Sequence, residues 1–146
     1  LRVLLAVLIV ALLLPAPAAG GRDRHASIPG PVEAELISVI DGDTLLVEAR
    51  PWPQHSVTVL VRLRGIDAPE LRAKCQTARQ AAIRARTALA ALVEGGVRLT
   101  NIAGDKYFGR VVADVSGPDD ANYAGQLLAL GLVRPYDGGR RPQQDC

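Results

Sequence analysis

The sequence predicts an α+β domain, a small β-barrel of five strands with two or three α-helices. Three observations predict it. Five short stretches alternate apolar with polar residues and are rich in β-branched side chains. Two longer stretches repeat apolar residues at three-to-four spacing, and Gly, Pro, Asp or Asn separate the stretches. At 146 residues the chain has room for one domain with a modest core. Its composition is neither collagen-like nor that of a disordered chain.

Residues 32–40 and 44–49 read as the first two strands, and Asp41-Gly42 between them is a hairpin signal. Residues 51–56, PWPQHS, read as a loop, because the prolines on either side of Trp52 have no N–H to give a ladder. Residues 57–63 form the third strand. Residues 74–96 follow as a helix, with Ala78, Ala81, Ala82, Ala85, Leu89, Leu92 and Val93 on one apolar stripe and Gly95-Gly96 as the stop. Arg79, Arg84 and Arg86 read as its exposed face. Residues 97–104 give a fourth strand and 107–117 a fifth, with Gly109 as a bulge or close approach. Residues 121–133 read as a second helix ended by Gly131, and the tail from Arg134 as irregular. Three strands, a helix, two strands and a helix is the order of an OB-fold barrel, whose open face binds nucleic acids or sugars.

The first twenty residues, LRVLLAVLIVALLLPAPAAG, stand apart from this domain. One cation, Arg2, precedes an apolar run over 3–14, and Pro15 and small residues follow. That is the pattern of an export signal, and the run is shorter than the ~20 residues of a usual spanning helix. We expect a signal over 1–20, a linker over 21–31 and the folded domain over 32–146, in a protein that is periplasmic or secreted. The alternative is a membrane anchor formed by an uncleaved segment. The chain carries a net charge of +2, but from Glu33 onward 14 Lys and Arg balance 14 Asp and Glu. Affinity for a polyanion must therefore come from a local patch. The two cysteines, Cys75 and Cys146, are expected to pair in an exported chain. Closing so long a loop stabilises by roughly 4 kcal/mol in the chain-entropy picture. With His25 and His55 they lack the spacing of a zinc site.

The chemistry concentrates in VRLRGIDAPE, residues 61–70. Asp67 and Glu70 have the spacing of a helix capping box, and equally of a metal or phosphate site at a strand end. Asp43, at the start of the second strand, lies at the same edge of an antiparallel pair as Asp67 at the end of the third. Two carboxylates brought together there suit an oxygen-binding cation. Ala68, extended because Pro69 follows it, offers its carbonyl. Arg62 on the third strand and Arg110 on the fifth supply cations able to grip a phosphate and offset charge in a transition state. The set suits metal-assisted phosphodiester hydrolysis, and the spacings alone leave both readings of Asp67 open.

VIDGDT, VRLRGIDAPE and DKYFGR occur in that order, with a helix between the second and third. In these motifs the chain resembles the staphylococcal nuclease, or thermonuclease, family over about residues 32–136. The resemblance implies an OB barrel with helices and calcium-dependent cleavage of DNA and RNA to 3′-phosphates. It implies Asp43 and Asp67 as carboxylate ligands of Ca2+, with Ala68 giving its carbonyl. Glu70 would orient or deprotonate the attacking water, and Arg62 and Arg110 would bind the scissile phosphate. Tyr107 and Tyr136 are the expected substrate contacts, although Phe108 competes with Tyr107 for its position. Departures include Ala68 in place of a threonine, the extra Phe108, a longer 51–56 loop and a shorter segment after Glu70. We expect DNA and RNA as partners, single strands preferred, and a monomer. The rival is a non-catalytic OB-fold module that binds single strands. Binding alone does not need a carboxylate cluster beside phosphate.

Other polar residues read as ordinary surface. Asp41 is a turn residue; Asp105, Asp114, Asp119 and Asp120 are solvated turn acids; Arg140 and Arg141 belong to a solvated tail. Arg64 points to the same face as Arg62, as an ion-pair partner. Trp52 and Tyr123 read as packing residues.

Overall fold

The computed structural model describes residues 26–141 and residue 146. The expected export signal lies outside the described residues. Its strands are β1 (Ser27–Ile28), β2 (Val32–Val39), β3 (Thr44–Trp52), β4 (His55–Leu63), β5 (Ile66–Asp67), β6 (Val97–Gly104), β7 (Arg110–Ser116) and β8 (Arg134–Pro135). The helices are α1 (Gln76–Val93) and α2 (Tyr123–Ala129).

Five strands close into a ring. β2 pairs antiparallel with β3, β3 with β4, β6 with β7 and β6 again with β2, while β4 and β7 run parallel. This is the five-stranded OB-fold α+β domain that the sequence predicts, with two helices. Alternation builds the interior: Leu45 and Val47 of β3, Val61 and Leu63 of β4, Leu99 of β6 and Val115 of β7 are fully buried. Ala82, Ala85, Leu89 and Val93 of α1 are the buried part of the expected stripe. The other three stripe residues are half-buried. Each large apolar side chain so buried contributes roughly 1.5–3 kcal/mol.

The ladder register carries the functional consequence. Thr44 stands opposite Arg62, and the Leu63 N–H donates to the Asp43 carbonyl at 2.8 Å. The start of β3 and the end of β4 therefore share one edge of the barrel, as the hairpin reading requires.

Several boundaries differ from expectation. Residues 51 and 52 continue β3, and β4 begins at His55, so the expected loop shrinks to a tight turn in which Gln54 has φ 63°. Pro51 is tolerated because the ladder shifts register between Ala49 and Trp52, beyond the last β2–β3 pair, Glu33 with Arg50. Trp52, expected to pack, is 55% exposed there, against the His55 ring. The fifth strand starts at Arg110 instead of residue 107. Gly109, with φ +80° and open space around it, is a turn residue preceding β7. The second helix is shorter than expected. Asn122 caps it through the Gly125 N–H at 2.9 Å. It ends where Leu132 N–H reaches Leu127 O (3.1 Å) and Gly131 N–H reaches Leu128 O (3.0 Å), with Gly131 at φ +66°. The tail is not wholly irregular, since β8 pairs with β5, Ile66 opposite Pro135 and Asp67 opposite Arg134. Ser27 and Ile28, in the span expected as linker, add to β6 opposite Ala103 and Ile102. Among the described residues no helix is long and apolar enough to cross a membrane.

Candidate active site

The β2–β3 turn presents Asp43. Asp41 Oδ1 accepts the Asp43 N–H at 3.0 Å, so Asp41 is the turn residue expected of it. A Cβ at Gly42 would lie 2.7 Å from Ala85 Cβ and 2.8 Å from Ala68 Cβ. Glycine here, with alanines at 68 and 85, lets the turn press against α1 and the segment after β5. Asp43 is consequently buried. Its Oδ1 accepts from the Thr44 hydroxyl (2.9 Å) and Arg62 Nη1 (3.0 Å), and its Oδ2 from the Ala68 N–H (2.8 Å). Burial and the nearby Asp41 charge push the Asp43 carboxyl up to about 6, against the bonds from Ala68, Arg62 and Thr44.

Gly65, at φ +82°, turns the chain off the end of β4 into β5. That places Asp67, 2% exposed, on the far side of the same guanidinium. Arg62 Nη2 donates to Asp67 Oδ1 at 3.1 Å and to the Ile66 carbonyl at 3.3 Å. One buried arginine therefore spans two buried carboxylates. Removing one partner of such a pair leaves an uncompensated buried charge. Asp67 caps no helix. α1 begins at Gln76 behind Cys75, which makes no side-chain cap bond, and residues 68–70 are irregular. The capping-box reading is therefore not realised.

Across the cleft, the loop between β6 and β7 carries Asp105, Lys106 and Tyr107, and β7 begins with Arg110. Arg110 is ion-paired to Asp105, and its guanidinium carbon lies 4.5 Å from the Tyr107 ring centre. Burial pushes the Asp105 carboxyl up. Bonds from Arg110 and the Lys106 N–H, with the charges of Arg110 and Arg62, outweigh it and hold Asp105 below its ordinary value. Asp105 is thus no free turn acid. Tyr107 lines the cleft, whereas Phe108 is fully exposed and does not.

The C-terminal arm makes the remaining wall. β8 brings Tyr136 over the site, its ring centre 5.7 Å from the Arg62 guanidinium, with its N–H on Gly65 O at 2.9 Å and its hydroxyl on Gly139 O at 2.8 Å. Arg134 Nη2 lies 3.3 Å from Asp67 Oδ2, and Arg141 Nε lies 3.2 Å from Asp67 Oδ1. Arg141 Nη1 also pairs with Glu70. Cys75 and Cys146 form the expected disulfide, with Cα atoms 5.9 Å apart. The cleft enclosed by these walls has a volume of about 1580 Å³, larger than the usual small-molecule pocket.

Asp43, Arg62, Ala68, Glu70, Tyr107, Arg110 and Tyr136 thus line one cleft, and Asp67 lies buried beside it on Arg62. Arg134 escaped the sequence reading, and Arg141 is a cleft residue instead of a solvated tail. The signal available for Arg141 was the pairing of Cys146 with Cys75, which draws the tail toward Glu70. Arg64 pairs with Asp114 at 3.4 Å, and Asp120 with Arg98 at 2.9 Å, so these two acids are partnered. Asp119 Oδ1 accepts the Ala121 N–H at 3.3 Å as a turn acid. Arg79 and Arg86, on the exposed face of α1, bond the carbonyls of Ala73 and Lys74 and of Val39. Tyr123 packs in the core with its hydroxyl on Gly96 O at 2.7 Å.

Compared with known families, residues 60–145 match the model described as staphylococcal nuclease homologue, a span that includes Arg62, Asp67, Glu70 and Arg110 and begins after Asp43. No curated protein matches the chain.

Proposed function

The chain belongs to the staphylococcal nuclease homologue family, which makes it a nuclease-like, nucleic-acid-binding domain, and on that premise we propose that it is an exported, calcium-dependent phosphodiesterase of DNA and RNA. The observation that carries this reading is the single buried guanidinium of Arg62 between Asp43 and Asp67, at 3.0 and 3.1 Å. Binding strands alone does not require two buried acids bridged by an arginine beside the cleft.

The donor chemistry fits calcium. Asp43 and Asp67 offer hard oxygen ligands. Burial, with the Asp41 charge beside it, pushes the Asp43 carboxyl up to about 6, so an added cation would favour its ionised form. Among the described residues no group of three or more His, Cys, Asp or Glu converges to hold a metal. Asp43 and Asp67 would therefore hold the ion with the Ala68 carbonyl and water. When bound, the ion supplies positive charge that offsets the charge of the substrate phosphate.

The chain's own residues account for the other steps. Arg62 and Arg110 bind the scissile phosphate and offset the charge that develops on it. Glu70 takes a proton from a water whose oxygen bonds to phosphorus. The bond from phosphorus to the 5′-oxygen breaks, that oxygen takes up a proton from solvent, and a 3′-phosphate remains. Tyr107 and Tyr136 flank the strand, and base stacking on them favours single strands. We assign residues 1–20 to the export signal, 21–31 to the linker, within which Ser27 and Ile28 pair with β6, and 32–146 to the domain. The protein is periplasmic or secreted and acts as a monomer.

The test is release of acid-soluble nucleotide from heat-denatured DNA and from RNA by the mature chain, with calcium or with a chelator. We expect calcium-dependent release that falls by about 10²–10⁴-fold in Glu70→Gln. Salt-sensitive binding without release would replace this reading with the non-catalytic module.

A further inference from the structure

Arg141 occupies a position that the proposed chemistry does not require. Its guanidinium sits on the two acids with the most to do, 3.2 Å from Asp67 and paired with Glu70. Yet its side chain is 43% exposed, and it lines the cleft with Arg62, Lys106 and Arg110.

The arm that carries it is fastened at both ends. At one end β8 pairs with β5. At the other, Cys146 is bonded to Cys75. Glu70 and Cys75 are five residues apart, as are Arg141 and Cys146. Glu70 and Arg141 are therefore joined by an ion pair and by a short covalent path through the disulfide. Arg79 Nη1 holds the carbonyls of Ala73 and Lys74 at 2.8 and 3.0 Å, which steadies the Cys75 end of that path. Gly138 and Gly139, at φ +105° and +87°, turn the arm back, and the Tyr136 hydroxyl fixes the turn on Gly139 O. Arg140, one residue earlier, is exposed and does not line the cleft.

We propose that Arg141 is a third phosphate-binding residue of this nuclease site, held over the cleft by the Cys75–Cys146 disulfide, and that it passes from Glu70 and Asp67 to a phosphate of the bound strand. The proposal rests on the nuclease reading for its substrate. A half-exposed ion pair holds the arginine weakly, whereas a guanidinium fork on phosphate is a charge-assisted, bidentate contact. The disulfide and the β5–β8 pairing keep the fork within reach, so less freedom is lost when the strand arrives. The disulfide then sets substrate affinity in addition to stability.

The test is fluorescence anisotropy of a labelled short single-stranded DNA in chelator, where no turnover occurs, titrated over salt. Arg141→Gln is expected to weaken binding about tenfold and to lower the salt slope by about 0.7. Arg141→Lys recovers the slope but only part of the affinity, because it keeps the charge and loses the fork. Glu70→Gln tightens binding by freeing Arg141, and Arg141→Gln still costs affinity in that background. The double variant Cys75→Ser/Cys146→Ser, checked for its fold by circular dichroism, weakens binding as Arg141→Gln does, and combining all three changes adds little. Arg140→Gln binds as wild type. Wild-type affinity and slope in Arg141→Gln, or loss of its effect in the Glu70→Gln background, would overturn the proposal and leave Arg141 a counter-ion. Nucleotide release with calcium is scored separately, so failure of the nuclease reading shows in turnover and failure of the clamp in binding.

Discussion

Arg62 reaches Asp67 from inside the protein, while Arg134 and Arg141 reach the same carboxylate from solvent. The Arg62 side chain is 9% exposed, and those of Arg134 and Arg141 are 44% and 43% exposed. The distances hardly differ, at 3.1, 3.3 and 3.2 Å. Geometry alone would therefore rank the three contacts together, and solvent separates them. A buried partner cannot be removed without stranding the charge it covers, whereas an exposed one is screened and replaceable. The barrel side thus holds the carboxylates in place, and the arm side supplies cations that can leave them.

The largest effect that would break this contrast is Arg62→Met. It strands Asp43 and Asp67 in the interior, and urea unfolding should show a loss of about 3–5 kcal/mol. A loss below about 1 kcal/mol would mean that the inner contact is no different from the outer ones.

Asp43 sharpens the contrast through pH. Its carboxyl is raised from 3.8 to about 6 by burial and by Asp41. The folded chain therefore keeps a proton that the unfolded chain has already lost. The stability tied to this group is full below about 3.8 and is lost as the pH rises through about 6. Relative to Asp43→Asn, the wild type should lose up to about 3 kcal/mol across that window, measured as the difference between unfolding curves. Saturating calcium should flatten the difference. A pH-independent difference would show that Arg62 and Ala68 already balance the charge.

Gly42→Ala tests how tightly the turn must press to hold Asp43. The added methyl meets Ala85 and Ala68 at 2.7 and 2.8 Å, and overpacking of this kind costs about 1–3 kcal/mol. Nucleotide release should fall as well, because the turn that moves carries Asp43. Arg134→Ala should be the mildest change, below about 1 kcal/mol and vanishing at high salt. A larger, salt-insensitive loss would place Arg134 with Arg62 among the inner contacts.

The barrel and its inner acids were legible in the sequence for a local reason. Alternation in β3 and β4 sets which residues face the core, the Asp41-Gly42 turn leads into β3, and the short turn after Trp52 joins β3 to β4 in antiparallel order. Together these bring Asp43 and the β4 end to one edge. Asp67 followed because Gly65 comes two residues after the strand ends. The arm was not legible. β5 and β8 are two residues each, too short for a period to show, and RPYDGGRRPQQDC has no apolar repeat. The continuation of β3 past Pro51 was hidden for a related reason, since a register shift removes the need for the missing N–H. Pairing of Asp105 with Arg110 depended on where a five-residue loop folds back.

What the sequence by itself determined is the set of elements, their order and the edge at which Asp43, Arg62 and Asp67 meet, because periodicity and turn chemistry act between near neighbours. Only the tertiary structure decided that the tail returns to that edge, that Arg141 lies on Glu70 and that Arg62 is the buried partner. Those outcomes depend on a distant ladder and on exclusion of water, neither of which leaves a local pattern in the chain, and on a disulfide across 71 residues, whose pairing the sequence predicts without saying where it lays the tail.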